Sequence, residues 1–205
     1  MALSADDMAD VWADYRRITR FFASAQIAFE RERLLIDSLS LRDPDSVMGR
    51  VPLSTGSYRF SVTDHLAALA DVQALYSAVL TQTYTLAETA ALASFTPPGD
   101  SRSSGGIEVW GKKLLDAQDK VWADVPCGKS GLVEVAVARN LSVHGDGRLG
   151  AADVRRLSDA GTPHWSVGDH MPLDSDITTN YRGRLKDLLN AGGIGEGRRP
   201  AQPQA

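Results

Sequence analysis

The sequence predicts an all-α protein, a helical bundle of four to six helices forming a single domain over residues 1–190. Three observations carry that expectation. Apolar residues recur every three to four positions over long stretches, which is the helical period. Stretches rich in proline, glycine and serine punctuate those runs. One segment, 132–144, is apolar around nearly its whole circumference, as the central helix of a bundle must be.

The first helix follows the stripe Met8, Val11, Tyr15, Ile18, Phe22, Ala25, Phe29, Ile36 and Leu39, with Glu32 standing where an apolar residue is expected. It stops before Asp43-Pro44, because the residue preceding a proline avoids the helical region. Residues 43–60, with Pro, Gly, Ser and Thr, read as a loop. A second helix, capped by Ser61 or Thr63, carries Leu69, Val72, Tyr76, Val79, Leu86, Ala90 and Ala93, with Thr83 in a core slot. It ends before Pro97-Pro98, where PPGDSRSSGG reads as a flexible loop. A third helix aligns Ile107, Trp110, Leu114, Ala117 and Val121. The turn PCGKSG leads into the fourth helix, 132–144, which Gly145-Asp146-Gly147 terminates. A short helix near 151–160 and a last one through Ile177, Tyr181, Leu185 and Leu188 follow, with a small hairpin possible at 164–173 between them. Residues 191–205 have no apolar period and read as a disordered tail.

Composition narrows the function classes. Hydrophobic residues make up 43% and charged residues 23% of the 205, ordinary for a soluble globular chain. A formal net charge of -4 gives no global cationic field, so a nucleic acid would be drawn by a local patch. A single cysteine, Cys127, excludes an internal disulfide framework and suits a reducing compartment. The acidic N-terminus lacks the features of a signal peptide, and no apolar run approaches the roughly 18 residues of a membrane span. The expectation is a cytoplasmic protein with no membrane association.

The fourth helix raises the functional question. Arg139, Asn140 and His144 interrupt the stretch EVAVARNLSVHGDG, and each costs about 1–3 kcal/mol if buried without a partner. Asn140 and His144 are four apart and can touch, so the amide can orient the imidazole. Arg139 and His144 are five apart, about 140° around the helix, too far to aim squarely at one small target. Either the last turn unwinds at Gly145, or the site is shared with a second copy of the helix across a two-fold axis. A purely structural reading is also open. His144 would favour the helix dipole, and Arg139 would pair with a buried carboxylate such as Glu32.

The string RNLSVH, followed by GDGRLGAADVRRL, resembles the R-x4–6-H motif of the HEPN superfamily (higher eukaryotes and prokaryotes nucleotide-binding), which carries a polar residue after the arginine. The sharp resemblance covers about residues 130–160. It implies a metal-independent RNA endonuclease, often a toxin or anti-phage effector, whose active site forms where two motif-bearing helices meet in a homodimer. By position, it makes Arg139 and His144 the catalytic pair and Asn140 the supporting polar residue. It also implies that an antitoxin or regulatory protein, for instance a small nucleotidyltransferase, accompanies the chain. The alternative is a non-catalytic RNA-binding or protein-interaction module using the same face.

The residue types fit this chemistry. RNA carries its own nucleophile, the 2′-OH beside the scissile phosphate. Histidine, with a reference pKa of about 6.5, exchanges protons at neutral pH. Arginine offers a fixed fork of donors to phosphate oxygens. Lys129, Arg148, Arg155 and Arg156 flank the motif and are candidates for RNA phosphate contacts. No cofactor is expected. The acids nearest the motif, Glu134 and Asp146, form no carboxylate cluster for metal ions.

Other motifs are weaker. ADVPCGKS, 123–130, fits a relaxed phosphate-loop pattern, but a helix precedes it where the mechanism needs a strand. A helix-connecting turn with Ser130 as cap is the better reading. GDGRLG, 145–150, likewise follows a helix, so its glycines end one helix and begin the next. His164, Asp169 and His170 lack a ligand spacing and read as surface residues, and His65 as a helix-boundary residue.

Overall fold

The computed structural model describes residues 3–39, 47–53, 56–95, 105–144 and 147–195. Within them the chain is all-α, with seven α-helices and one hairpin. The elements are α1 (Ala5–Leu39), β1 (Val47–Leu53), β2 (Gly56–Ser61), α2 (Val62–Ala70), α3 (Val72–Phe95), α4 (Ile107–Asp116), α5 (Gly128–His144), α6 (Ala151–Asp159) and α7 (Ser175–Ala191). A 3-10 turn at Trp122–Asp124 precedes α5. No helix among the described residues is long and apolar enough to cross a membrane. The chain divides into two compact units. One is Thr19–Leu75, and the other is Met1–Ile18 with Tyr76–Ala205.

In the first unit, the second half of α1 buries Phe22 and Ile36, while Val62, Leu69 and Leu75 are buried from α2 and α3. Residues 43–60 were expected to be a loop; instead β1 and β2 pair antiparallel from Leu53↔Gly56 to Val47↔Ser61, with a register irregularity between Val47 and Gly49. Turn-rich composition hid the strands. Pro52 is tolerated because both strands of a two-stranded ribbon are edges. The hairpin runs into α2, where Ser61 and Asp64 form a reciprocal capping box: the Asp64 amide donates to Ser61 Oγ (3.1 Å) and the Ser61 amide to Asp64 Oδ2 (2.9 Å). The expected second helix is two. Asp71, with φ -83° and ψ 62°, leaves the helical region and separates α2 from α3. Aspartate competes for backbone donors and so favours such boundaries.

In the second unit, α5 sits at the centre. It packs against α4, α6, α7 and the 3-10 turn. Leu132, Val133, Val135, Ala136, Val137, Ala138 and Leu141 are all buried, as the apolar pattern predicts, while Val143, the last apolar residue of that pattern, is exposed. The helix begins at Gly128, whose φ of +60° suits glycine, so Ser130 lies inside the first turn and is not the cap. α4 ends at Asp116, short of Val121, which is 61% exposed, because Asp119 turns the chain with φ +53°. Gly150 caps the start of α6, its amide donating to Asp153 (3.0 Å), and Asp174 caps α7, its side chain accepting from the Ile177 amide (2.7 Å).

Two further expectations change. No hairpin forms within 164–173. Residues 168–171 bond instead to the segment before α6: Leu149 N–H to Asp169 O (2.9 Å), Gly168 N–H to Leu149 O (2.8 Å) and Met171 N–H to Gly147 O (2.9 Å). This pairing buries Leu149, Met171 and Leu173. The reading of 191–205 as a disordered tail fails for its start. Gly192 is packed where a β-carbon would collide with Leu114, and Ile194 is buried with its amide bonded to Leu189 O (2.9 Å). Residues 196–205 lie outside the described residues.

The unit also holds a buried cation. Arg182 of α7, 4% exposed, donates from Nε to Thr83 Oγ1 (3.1 Å), while the Thr83 hydroxyl donates to Val79 O (2.8 Å). Its guanidinium lies 4.9 Å from the Tyr15 ring centroid, and the Tyr15 hydroxyl donates to the Arg182 carbonyl (3.0 Å). This explains the threonine in the α3 core slot: it is an acceptor for a charge buried from α7. Thr83→Val keeps the shape but removes that acceptor. It should lower unfolding stability by about 1–3 kcal/mol in a denaturant titration, and an unchanged midpoint would show that Thr83 is not needed there.

Candidate functional site

The second half of α5 carries the motif. Arg139 is half-buried, and its Nη1 donates to Asn140 Oδ1 (3.0 Å). Its guanidinium carbon lies 5.5 Å from the centroid of Tyr84, a buried α3 residue that meets Trp110 edge-on at 5.9 Å. Burial pushes the Tyr84 phenol up to about 12, so the ring is neutral at physiological pH and offers the cation an uncharged π-face. Arg139 Nε is buried and has no hydrogen-bond partner among the described residues. The guanidinium is thus held on one side by a ring and an amide, with donor capacity left over.

α5 stays helical through His144. The unwound last turn is therefore not adopted, and the two positions keep their separation of about 140° around the axis. The side chain of His144 lies outside the described residues. Asn140, expected to orient His144, gives its carbonyl oxygen to Arg139; its amide nitrogen remains the donor end. Next to the motif, Val143 is 44% exposed. Glu134 is tied to α7, where Arg184 Nη1 donates to its Oε2 (2.5 Å) and to Gly131 O (3.0 Å).

The other candidates separate into groups. Lys129, Arg155 and Arg156 line one cleft with Glu108. Arg156 is not a free surface cation, because Nε and Nη2 grip the two Glu108 oxygens at 2.6 Å each. Arg148 lies apart from this cleft, exposed, with Nη1 donating to Gly168 O (3.0 Å). Glu32 belongs to the Thr19–Leu75 unit. Its Oε1 sits 3.2 Å from Nε2 of His65 in α2, within the same unit. His164 stacks on Trp165 (5.1 Å between ring centroids), Asp169 Oδ2 accepts from the Ser166 amide (2.8 Å), and both His164 and His170 are exposed. No group of three or more His, Cys, Asp or Glu side chains able to hold a metal ion occurs among the described residues. Neither glycine-rich stretch follows a strand: the 3-10 turn precedes Gly128, and α5 precedes Gly147.

Tyr84, Glu108 and Arg182 were not singled out by sequence reasoning. Their partners lie 48 or more residues away, and nothing local marks them.

No protein-family model, no curated protein and no solved structure matches the chain.

The Arg156–Glu108 pair ties α6 to α4 and makes a prediction. Burial, the largest single influence, would raise the Glu108 carboxyl, but the hydrogen bonds and charge of Arg156, a backbone hydrogen bond and the charge of Lys129 together outweigh it and hold the group below its ordinary 4.5. A depressed folded-state value stabilises above the unfolded value and is lost as pH falls through the folded one. The stability gap between wild type and Glu108→Gln should therefore be full at neutral pH and close on acidification below about 4.5. Urea midpoints across pH measure it, and a gap that widens in acid would contradict the pairing.

Proposed function

We propose that the protein is a metal-independent endoribonuclease, acting as a homodimer in a toxin or phage-defence setting. The observation that carries this reading is the state of Arg139. On a largely buried helix, its guanidinium is fixed by Tyr84 and Asn140, yet its Nε has no partner among the described residues, and it stands five residues before the histidine that ends the helix. A rigid, incompletely satisfied guanidinium is suited to meet charge that develops on a phosphate. Because Arg139 and His144 diverge around a regular helix, the reading pairs Arg139 of one protomer with His144 of the other.

In the reaction, the 2′-oxygen attacks the adjacent phosphorus and loses its proton to a general base. The P–O5′ bond breaks, and the 5′-oxygen takes a proton from a general acid. The products are a 2′,3′-cyclic phosphate and a 5′-OH, with no net redox change. His144 serves the proton transfers, and Arg139 donates to the non-bridging oxygens. Asn140 holds Arg139 in place.

The alternative is a non-catalytic RNA-binding or protein-interaction module. The engagement of Arg139 by its neighbour and by Tyr84 favours it, since a fixed arginine can be purely structural.

A cleavage assay separates the two. Arg139→Ala and His144→Ala should each lower cleavage by about 10²–10⁴-fold or more, and Asn140→Ala should cost less. Cleavage should survive EDTA and leave cyclic phosphate ends. Wild-type activity in His144→Ala would replace this reading with the non-catalytic one. Products bearing 5′-phosphates would exclude the mechanism.

A further inference from the structure

A second feature stands apart from the motif. Between α4, the first turn of α5 and α6 lies a cleft of about 260 Å³, lined by Glu108, Lys129, Ala152, Arg155, Arg156 and Asp159. The four α6 residues are spaced i, i+3, i+4 and i+7 and so share one helix face. Alanine at position 152 leaves the cleft open where a longer side chain would fill it. The volume lies just below the roughly 300–1,000 Å³ of drug-sized sites, a size for one phosphate and part of its sugar.

The charges lining the cleft do not cancel. Glu108 is consumed by Arg156 in a two-pronged ion pair. Against the one remaining anion, Asp159, stand two further cations, Lys129 and Arg155, so the three cations and two anions of the lining leave a net charge of +1. Neither Lys129 nor Arg155 makes a hydrogen bond or ion pair with any described residue. Lys129 is half-buried and lines the cleft. Its field reaches Glu108, where it helps to lower the carboxyl. Lys129 is also the second residue of a 17-residue helix. Two of the four first-turn amides there are already taken, Gly128 N–H by Val125 O (2.8 Å) and Gly131 N–H by Cys127 O (3.1 Å), and the helix dipole adds positive potential beside them. The Arg156–Glu108 pair acts as the rigid wall that fixes α6 against α4, which sets the distance between Arg155 and Lys129.

We propose that this cleft is a phosphate-binding site in which Lys129 and Arg155 hold the anion against the start of α5. The phosphate comes either from a nucleic-acid strand or from a free phosphate ester. The site does not depend on whether Arg139 and His144 cleave RNA.

The test uses the full chain and two probes, inorganic phosphate and a single-stranded RNA decamer. Thermal unfolding is followed while phosphate replaces chloride at constant ionic strength. Wild type should gain stability in a saturable way, and Lys129→Gln/Arg155→Gln should require at least about tenfold more phosphate for the same gain. Both substituted side chains lie outside the core, and Arg155→Gln alone, at an exposed position, should show a partial loss with an unchanged helical spectrum. If the strand is the source, the double variant should also lower the slope of log affinity for the decamer against log salt by about 1.4. If a free ester is the source, phosphate binding weakens while RNA affinity stays at the wild-type value. A wild type indifferent to both probes, or a double variant that responds like wild type, would overturn the proposal.

Discussion

The burial of α5 along 132–141 is the constraint on which the rest depends. A helix with Leu132, Val133, Val135, Ala136, Val137, Ala138 and Leu141 all hidden must be surrounded, and α4, α6, α7 and the 3-10 turn do the surrounding. Three polar ties then fix helices of this unit at the edge of the apolar contact. Arg184 bonds Glu134 and the Gly131 carbonyl, joining α7 to α5. Arg156 grips Glu108, joining α6 to α4. Arg182 reaches Thr83, joining α7 to α3. Apolar burial is non-directional, so these charged hydrogen bonds, which are directional, set the register in which the helices pack.

That constraint also decides which polar residues of α5 carry functional meaning. Glu134 is fully accounted for by Arg184. Arg139 is not, because its guanidinium rests on Tyr84 and Asn140 while its buried Nε has no partner among the described residues. An unsatisfied donor on a central helix costs stability, and its retention calls for a reason. Contact with a phosphate is one that the residue's chemistry fits.

Much of the second unit was legible in the sequence. The apolar run from Leu132 to Leu141 and the later stripe through Tyr181, Leu185 and Leu188 depend only on local period, and the structure buries both; the expected stop at Gly145 lies outside the described residues. The hairpin of 47–61 was not legible, because Pro52, Gly49 and Gly56 mimic a loop and each strand is too short for alternation to stand out. The break at Asp71 was hidden by apolar residues that keep step on both sides of it. At the candidate site, the motif residues could be read as a string, but the ring beneath Arg139 could not. Tyr84 is 55 positions earlier in the chain, and no periodicity connects the two. Trp12, buried at 3% beside the expected first stripe, escaped for a similar reason: its partners arrive from distant segments.

The central claim is that one active site draws Arg139 from one protomer and His144 from its partner, since a helix that stays regular through 144 keeps them about 140° apart. Mixing two inactive proteins tests this directly. Arg139→Ala and His144→Ala are purified separately, allowed to exchange subunits, and assayed for RNA cleavage. With random assortment, half of the dimers are mixed and each holds one intact site of two, so activity should rise from background to about a quarter of wild type. A mixture that stays as inactive as either parent, under conditions where subunit exchange is demonstrated, would contradict the shared site.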